Sequence, residues 1–287
     1  MNSYDTIIDN DCVEVYRGKY FKSNKYKKVK KVVVLDLDET LGSFTELDIL
    51  WHTIEYILKD NPIDFFDLFD LFPEFQRVGI MKILEYIYNK KNKGGCYKLY
   101  IYTNNQSESF YVKMICDYFT SKICKNKNDV LFDQIIYAFK INNQIIQFGR
   151  TSHQKSHSDL INCTLIPKNA AICFLDDINF DKMKKERIYY IRPEPYHHQL
   201  SPNDILKRFF SSNISNAVSQ HKHFFTDYFL SKALHKQPSN KAINHFTVYK
   251  KMMYHIKEFF ILSSKHKFTK RKRKCIAHYT KKNINVL

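Results

Sequence analysis

Three short apolar runs along the chain each end in polar or acidic residues. Val32-Val33-Val34-Leu35 runs into Asp36-Leu37-Asp38-Glu39-Thr40, residues 97–102 into Thr103-Asn104-Asn105, and residues 170–175 into Asp176-Asp177. Such brief apolar or β-branched stretches predict strands buried on both faces of a parallel sheet. A fourth run, 187–191, is closed by Pro193 and Pro195. Between the runs the apolar spacing changes to three and four residues. That spacing predicts amphipathic helices at 47–58, 63–71, 107–119 and 159–163, and a longer one carrying Ile80, Ile83, Leu84 and Ile87 on one face. Tyr111, Ile115 and Tyr118 are the inward residues expected of the 107–119 helix. Gly94-Gly95 breaks the chain before the second strand. A short edge strand is expected at 13–16, and a hairpin is expected from 135–139 and 145–148. Beyond Ser201-Pro202 the pattern predicts helices at 201–210, 218–234 and 248–262, the last two divided at 236–240 by Pro238.

Strands alternating with helices predict an α/β fold: a doubly wound (Rossmann-like) parallel sheet with a helical insertion after the first acidic motif and a basic helical C-terminal extension. The expected division is a basic lead-in at 1–31, the α/β domain at 32–210 and the basic tail at 211–287.

Charge sharpens this division. Of the formal +17, residues 201–287 contribute +15, with 18 Lys+Arg against 3 Asp+Glu, so the preceding two hundred residues are close to neutral. A basic tail suits an acidic partner such as nucleic acid, or plain solubilisation, and Lys270-Arg271-Lys272-Arg273-Lys274 also suits a nuclear address. Residues 36–75 run the other way, with eleven Asp+Glu and one basic residue, Lys59. Seven Cys without a CxxC pair point to reduced thiols. With no signal-peptide pattern and no apolar run of spanning length, the expected setting is intracellular, in cytoplasm or nucleus. Nine of twelve His fall after Tyr196 without metal-pair spacing and read as polar surface.

Asp36 and Asp38 carry the chemistry. Carboxylates at the carboxyl end of a buried strand are costly to desolvate, and side by side they repel unless a cation or proton intervenes. Their two-residue offset on an extended chain puts both on one side. Asp176-Asp177 repeats the pattern.

The string DLDETL resembles the first motif, DxDx[TV], of the haloacid-dehalogenase-like phosphohydrolases. With Glu39 in place, it resembles the NLI-interacting-factor-like branch, which includes phosphatases of the RNA polymerase II C-terminal domain and has similar members in large DNA viruses. The resemblance spans residues 32–196, making 32–210 a phosphatase domain. It implies that Asp36 is the nucleophile forming an aspartyl-phosphate and that Asp38 is the general acid–base. Thr40 then holds the loop, and Thr103 with Asn104 binds phosphate. Lys155 supplies the cation that stabilises the phosphoryl oxygens, with Lys168 as its alternative and Arg150 as an auxiliary contact. Asp36, the Asp38 carbonyl, Asp176 and Asp177 are the implied Mg²⁺ site. Arg77-Val78-Gly79 departs from the family's Arg-Pro-Gly at the head of the next helix. The implied activity is Mg²⁺-dependent phosphomonoester hydrolysis on a phosphorylated protein Ser or Thr, in a host cell if the chain is viral. Two alternatives stay open: a catalytically slack phosphate-binding module whose tail, residues 201–287 with Phe246, Tyr249, Tyr254, Phe259 and Phe260 among its lysines, binds nucleic acid; or a nucleic-acid-end or metabolite phosphatase.

Overall fold

The computed structural model describes residues 6–9, 12–22, 29–60, 62–126, 128–233 and 243–263, with backbone alone described for 6–9. Pro238 and the 270–274 basic run lie outside the described residues.

Each apolar run forms a strand: β3 (Lys31–Leu35), β4 (Lys98–Tyr102), β8 (Ala171–Leu175) and β9 (Ile188–Pro193). With β1 (Thr6–Asp9), β2 (Val13–Arg17) and β5 (Gln134–Ile136) they make one seven-stranded sheet in the order β1-β2-β9-β8-β3-β4-β5. The five strands from β9 to β5 run parallel, and β2 and β1 are added antiparallel at one side. The protein is therefore α/β with a mostly parallel central sheet.

Alternation along the strands explains why the runs are apolar throughout. Val33, Leu35, Leu99, Ile101, Cys173 and Leu175 join a core with α1 (Thr45–Ile57), α3 (Ile80–Asn92), α4 (Ser109–Ile123) and α6 (Pro202–Phe210). Val32, Val34, Tyr100, Tyr102, Ile172 and Phe174 pack in a second cluster with Leu160 of α5 (His157–Thr164). Both sheet faces are dry, as a parallel sheet requires. The 63–71 helix is a short α2, Phe65–Asp70, capped by the Asp64 side chain. The α6 start shows a reciprocal Ser201–Asp204 capping box with Pro202 in the first turn.

Several expectations need correcting. Only at Phe139, whose carbonyl accepts from the Ile146 amide at 3.0 Å, does the expected pairing with 145–148 form, and the strand near 135 lies elsewhere. It enters the main sheet as β5, parallel to β4, because Ile136 is fully buried there. The hairpin is smaller, β6 (Lys140–Ile141) with β7 (Gln144–Ile145), and Asn142 and Asn143 sit at φ 49° and 64° in the two-residue turn. The 13–16 strand is not at the edge, since β1 lies outside it. Residues 213–221 form a 3-10 stretch before α7 (Lys222–Lys232), where one helix from 218 was expected.

The stretch after 210 is not separate from the body where it is described. In α8 (His245–Leu262), Val248, Met252, Ile256 and Phe259 belong to the same core as the sheet. Glu258 of α8 meets Arg17 of β2 at 2.7 Å and accepts a hydrogen bond from Tyr189 of β9. Phe259 and Phe260 are buried. They are thus unavailable to stack on bases, which removes two of the aromatics that suggested nucleic-acid binding.

Candidate active site

From β3 the chain moves outward to β4 and β5, then returns to β8 on the other side of β3 and continues to β9. The strand order reverses between β3 and β8, and the carboxyl ends at such a reversal are where an open α/β sheet binds ligands. The sequence places Asp36 at the end of β3 and Asp176-Asp177 at the end of β8, so the register Leu35↔Leu175 brings all three carboxylates together. One oxygen from each lies within 4.8 Å of the others. All three donors are carboxylate oxygens, a hard set that can hold an oxygen-loving divalent cation.

Lys155 enters from the loop before α5. Its Nζ donates to Asp36 Oδ1 and, at 2.7 Å, to Asp176 Oδ2, with 1% of the residue exposed. Burial pulls the lysine pKa down, but the charges of Asp176 and Asp36 outweigh that and leave it raised. Asp176 is pushed well above the usual carboxylate range by burial, with Lys155 opposing and Asp36 adding to the shift. Asp177 is raised by burial and by Asp36, while a Thr40 hydrogen bond resists. One ammonium thus faces three carboxylates, leaving the cluster short of positive charge. Lys168 is exposed, so the structure selects Lys155 for this position.

Thr40 ties the two acidic strand ends together. Its hydroxyl donates to Asp177 Oδ1 at 2.8 Å, lies 3.4 Å from Asp36 Oδ2, and accepts from the Asp177 amide at 3.1 Å. Asp38 lies outside the three-carboxylate cluster, with its side chain turned to Asn105, whose Nδ2 donates at 2.9 Å. The half-buried Asp38 carboxyl is pushed up to about 7 by burial and by the Asp36 charge, against the lowering bond from Asn105. A group titrating there can both give and take a proton near neutrality.

Thr103 is fully buried at the end of β4, and its hydroxyl accepts from the Asn105 amide at 2.9 Å. Asn104 is committed elsewhere: its Oδ1 accepts from Arg150 Nη2 at 2.6 Å. Arg150 also donates to the carbonyls of Thr103 and Tyr137, both at 2.8 Å, and is 3% exposed. It is a strut holding the loop after β4 to the segment after β5, which corrects its reading as an auxiliary phosphate contact.

Two further residues shape the site in ways that a reading of the sequence does not give. Asn105 positions Asp38, whereas the sequence pattern singles out only its neighbour Asn104. Arg77, 1% exposed, donates from Nε to the Thr40 carbonyl at 2.7 Å and from Nη2 to the carbonyls of Glu39 and Glu194. Its burial lowers its pKa to about 10. Glu39 occupies the left-handed region at φ 53°, and its carbonyl also accepts from the Tyr196 amide at 2.9 Å. Arg77 and Tyr196 therefore pin the strained turn that presents Asp36 and Asp38. The signal for Arg77 is present as the Arg-Val-Gly at the head of α3, but its targets are backbone carbonyls that carry no residue signature.

No family model, curated protein or solved structure matches the chain.

Proposed function

We propose that the protein is a Mg²⁺-dependent phosphomonoester hydrolase on a doubly wound, Rossmann-like domain, acting on phosphorylated Ser or Thr of a protein. The observation that carries the reading is Lys155 Nζ bridging Asp36 and Asp176 in a buried site that sets three carboxyl groups against one ammonium. A purely structural site of this kind would be expensive, because buried carboxylates persist only when paired or ligated. Together with the resemblance of DLDETL, it supports a site built to receive a cation and a phosphate.

Asp36, Asp176 and Asp177 would hold the Mg²⁺, which when bound supplies the positive charge that lets a phosphate dianion approach carboxylates. The residues divide the remaining work. The Asp36 carboxylate oxygen attacks phosphorus, and the bond from phosphorus to the seryl or threonyl oxygen breaks. Asp38, protonated, gives its proton to the departing oxygen. As a carboxylate it then takes a proton from water, whose oxygen attacks the aspartyl-phosphate. Inorganic phosphate leaves and Asp36 is restored. Lys155 steadies charge on the phosphoryl oxygens, and the rigid loop held by Thr103 and Arg150 borders the phosphate position. Asn104, bound to Arg150, orients that loop.

Hydrolysis of an aryl phosphate with and without Mg²⁺ tests the reading. Turnover in the native protein that needs Mg²⁺ and falls at least a thousandfold in Asp36→Asn, on the order of what a lost nucleophile costs, is the expected result. Turnover undiminished in Asp36→Asn would sink it.

A further inference from the structure

A cleft of about 560 Å³ opens beside Asp38. Its walls come from the turn after β3, the start of α1, the loop between β4 and α4, and the small β6–β7 hairpin. Among the described residues its ionisable lining consists of Asp38, Glu39, Asp48, Glu108 and His52, with no Lys or Arg. In a chain of net charge +17 this is a local inversion, and it lies against the group proposed to protonate the leaving oxygen. Ile141, half-buried, gives the same cleft apolar surface. His52 offsets part of this: Asp48 raises the imidazole to about 9 and the two form an ion pair of 3.0 Å, but four carboxyl groups line the cleft against that one cation. Asp48 is fixed further by Ser107, whose hydroxyl donates at 2.8 Å, and Glu108 stands exposed just before α4 with no side-chain bond to the helix end.

We infer that this cleft selects phosphorylated peptides carrying Lys or Arg beside the phosphorylated residue: the aliphatic stem lies along Ile141 and the cationic head faces Glu108, beside the Asp48 carboxylate that His52 already partners. Long basic side chains combine the two surfaces that the cleft offers. Phosphate on Lys155 and a cation on the carboxylates make the site bipolar, so specificity comes from complementarity of sign along the substrate. The same carboxylates repel a second phosphate, which disfavours nucleic-acid ends and polyphosphates. The inference rests on the phosphomonoester reading, but the cleft is separable from the reaction.

The test uses the full chain, an aryl phosphate, and two phosphoserine peptides of one sequence differing only in Lys or Glu at the flanking positions. Binding of the unphosphorylated, fluorescein-labelled Lys peptide is measured alongside by anisotropy. The expected kcat/KM ratio of Lys to Glu peptide is about tenfold or more, in keeping with an exposed ion pair for the Lys peptide and a like-charge contact for the Glu peptide. It shrinks as salt is raised and falls several-fold in Glu108→Gln and further in Glu108→Lys. Because it is a ratio within one protein, partial loss of folded enzyme does not move it. Aryl phosphate turnover with a peptide ratio near one, or a ratio unmoved in both variants, overturns the cleft assignment and leaves the reaction standing. No turnover of any substrate, with salt-sensitive Lys-peptide binding that the variants weaken, overturns the reaction and keeps the cation cleft. Neither turnover nor binding overturns both. Preference for an oligonucleotide phosphate over the Lys peptide also overturns the assignment.

Discussion

A single ammonium at Lys155 faces carboxylates from two strand ends, and the consequence is measurable without any substrate. Asp38, Asp176 and Asp177 all have raised pKa values in the folded protein, Asp38 at about 7. Below the unfolded-state carboxylate range both states are protonated. Between there and about pH 7 these three groups hold more protons in the folded state, so the stability they contribute falls as pH rises through that window. The metal-free protein is expected to melt at a higher temperature at pH 5 than at pH 8, with Mg²⁺ flattening the difference. Equal melting in EDTA at the two pH values would contradict this. Asp177→Asn removes one repelling charge and one candidate ligand. It should raise the metal-free melting temperature and abolish the Mg²⁺-induced rise, as followed by differential scanning fluorimetry. These acidic residues were legible in the sequence because a carboxylate directly after an apolar run is held where desolvation is costly, which calls for a cation beside it. Lys155 was legible only through the resemblance, being one lysine of many. Asn105 was not legible and Arg77 was legible only as part of an Arg-Val-Gly, since what they do depends on where a carboxylate or carbonyl sits in space.

At the level of elements, the start of α3 shows how a turn and a distant helix constrain one another. Gly79 sits at φ 79°, and a Cβ there would lie 2.2 Å from the Tyr249 ring of α8. Gly79→Ala therefore meets both a backbone penalty and a ring, and should cost about 2–4 kcal/mol. Tyr249→Ala in the same chain should return only the steric part, a non-additivity readable by urea denaturation. A Gly79→Ala protein as stable as the native one would refute both contacts. The sequence announced the long strands and the amphipathic helices well, because burial on two faces or one leaves distinct periods. It misassigned β5, since three residues are too few to show a period, and the partner of such a strand is decided by tertiary packing.

Across the whole molecule, the additions on either side of the α/β domain share one joint. Arg17 in β2, Tyr189 in β9 and Glu258 in α8 meet in a half-buried cluster, with His255 at 3.1 Å from the Tyr189 hydroxyl. Glu258→Gln should cost about 1.5–3 kcal/mol, the worth of hydrogen bonds to a charged group. Phe259→Ala should cost about 3–5 kcal/mol through the cavity it leaves. Chemical denaturation with the aryl-phosphate assay run in parallel checks that both act on stability first. Composition foretold a basic tail but not that its helix would close the core, because net charge reports nothing about a helix's apolar face. The joint also sets a timetable for birth on the ribosome. Tyr16 pairs with Tyr190, so β2 emerges long before the strand that receives it. At typical elongation rates it waits on the order of ten to forty seconds, and α8 follows later still. During that interval β2 lacks the strand on its inner side, and its unpaired backbone must be kept from pairing with other chains.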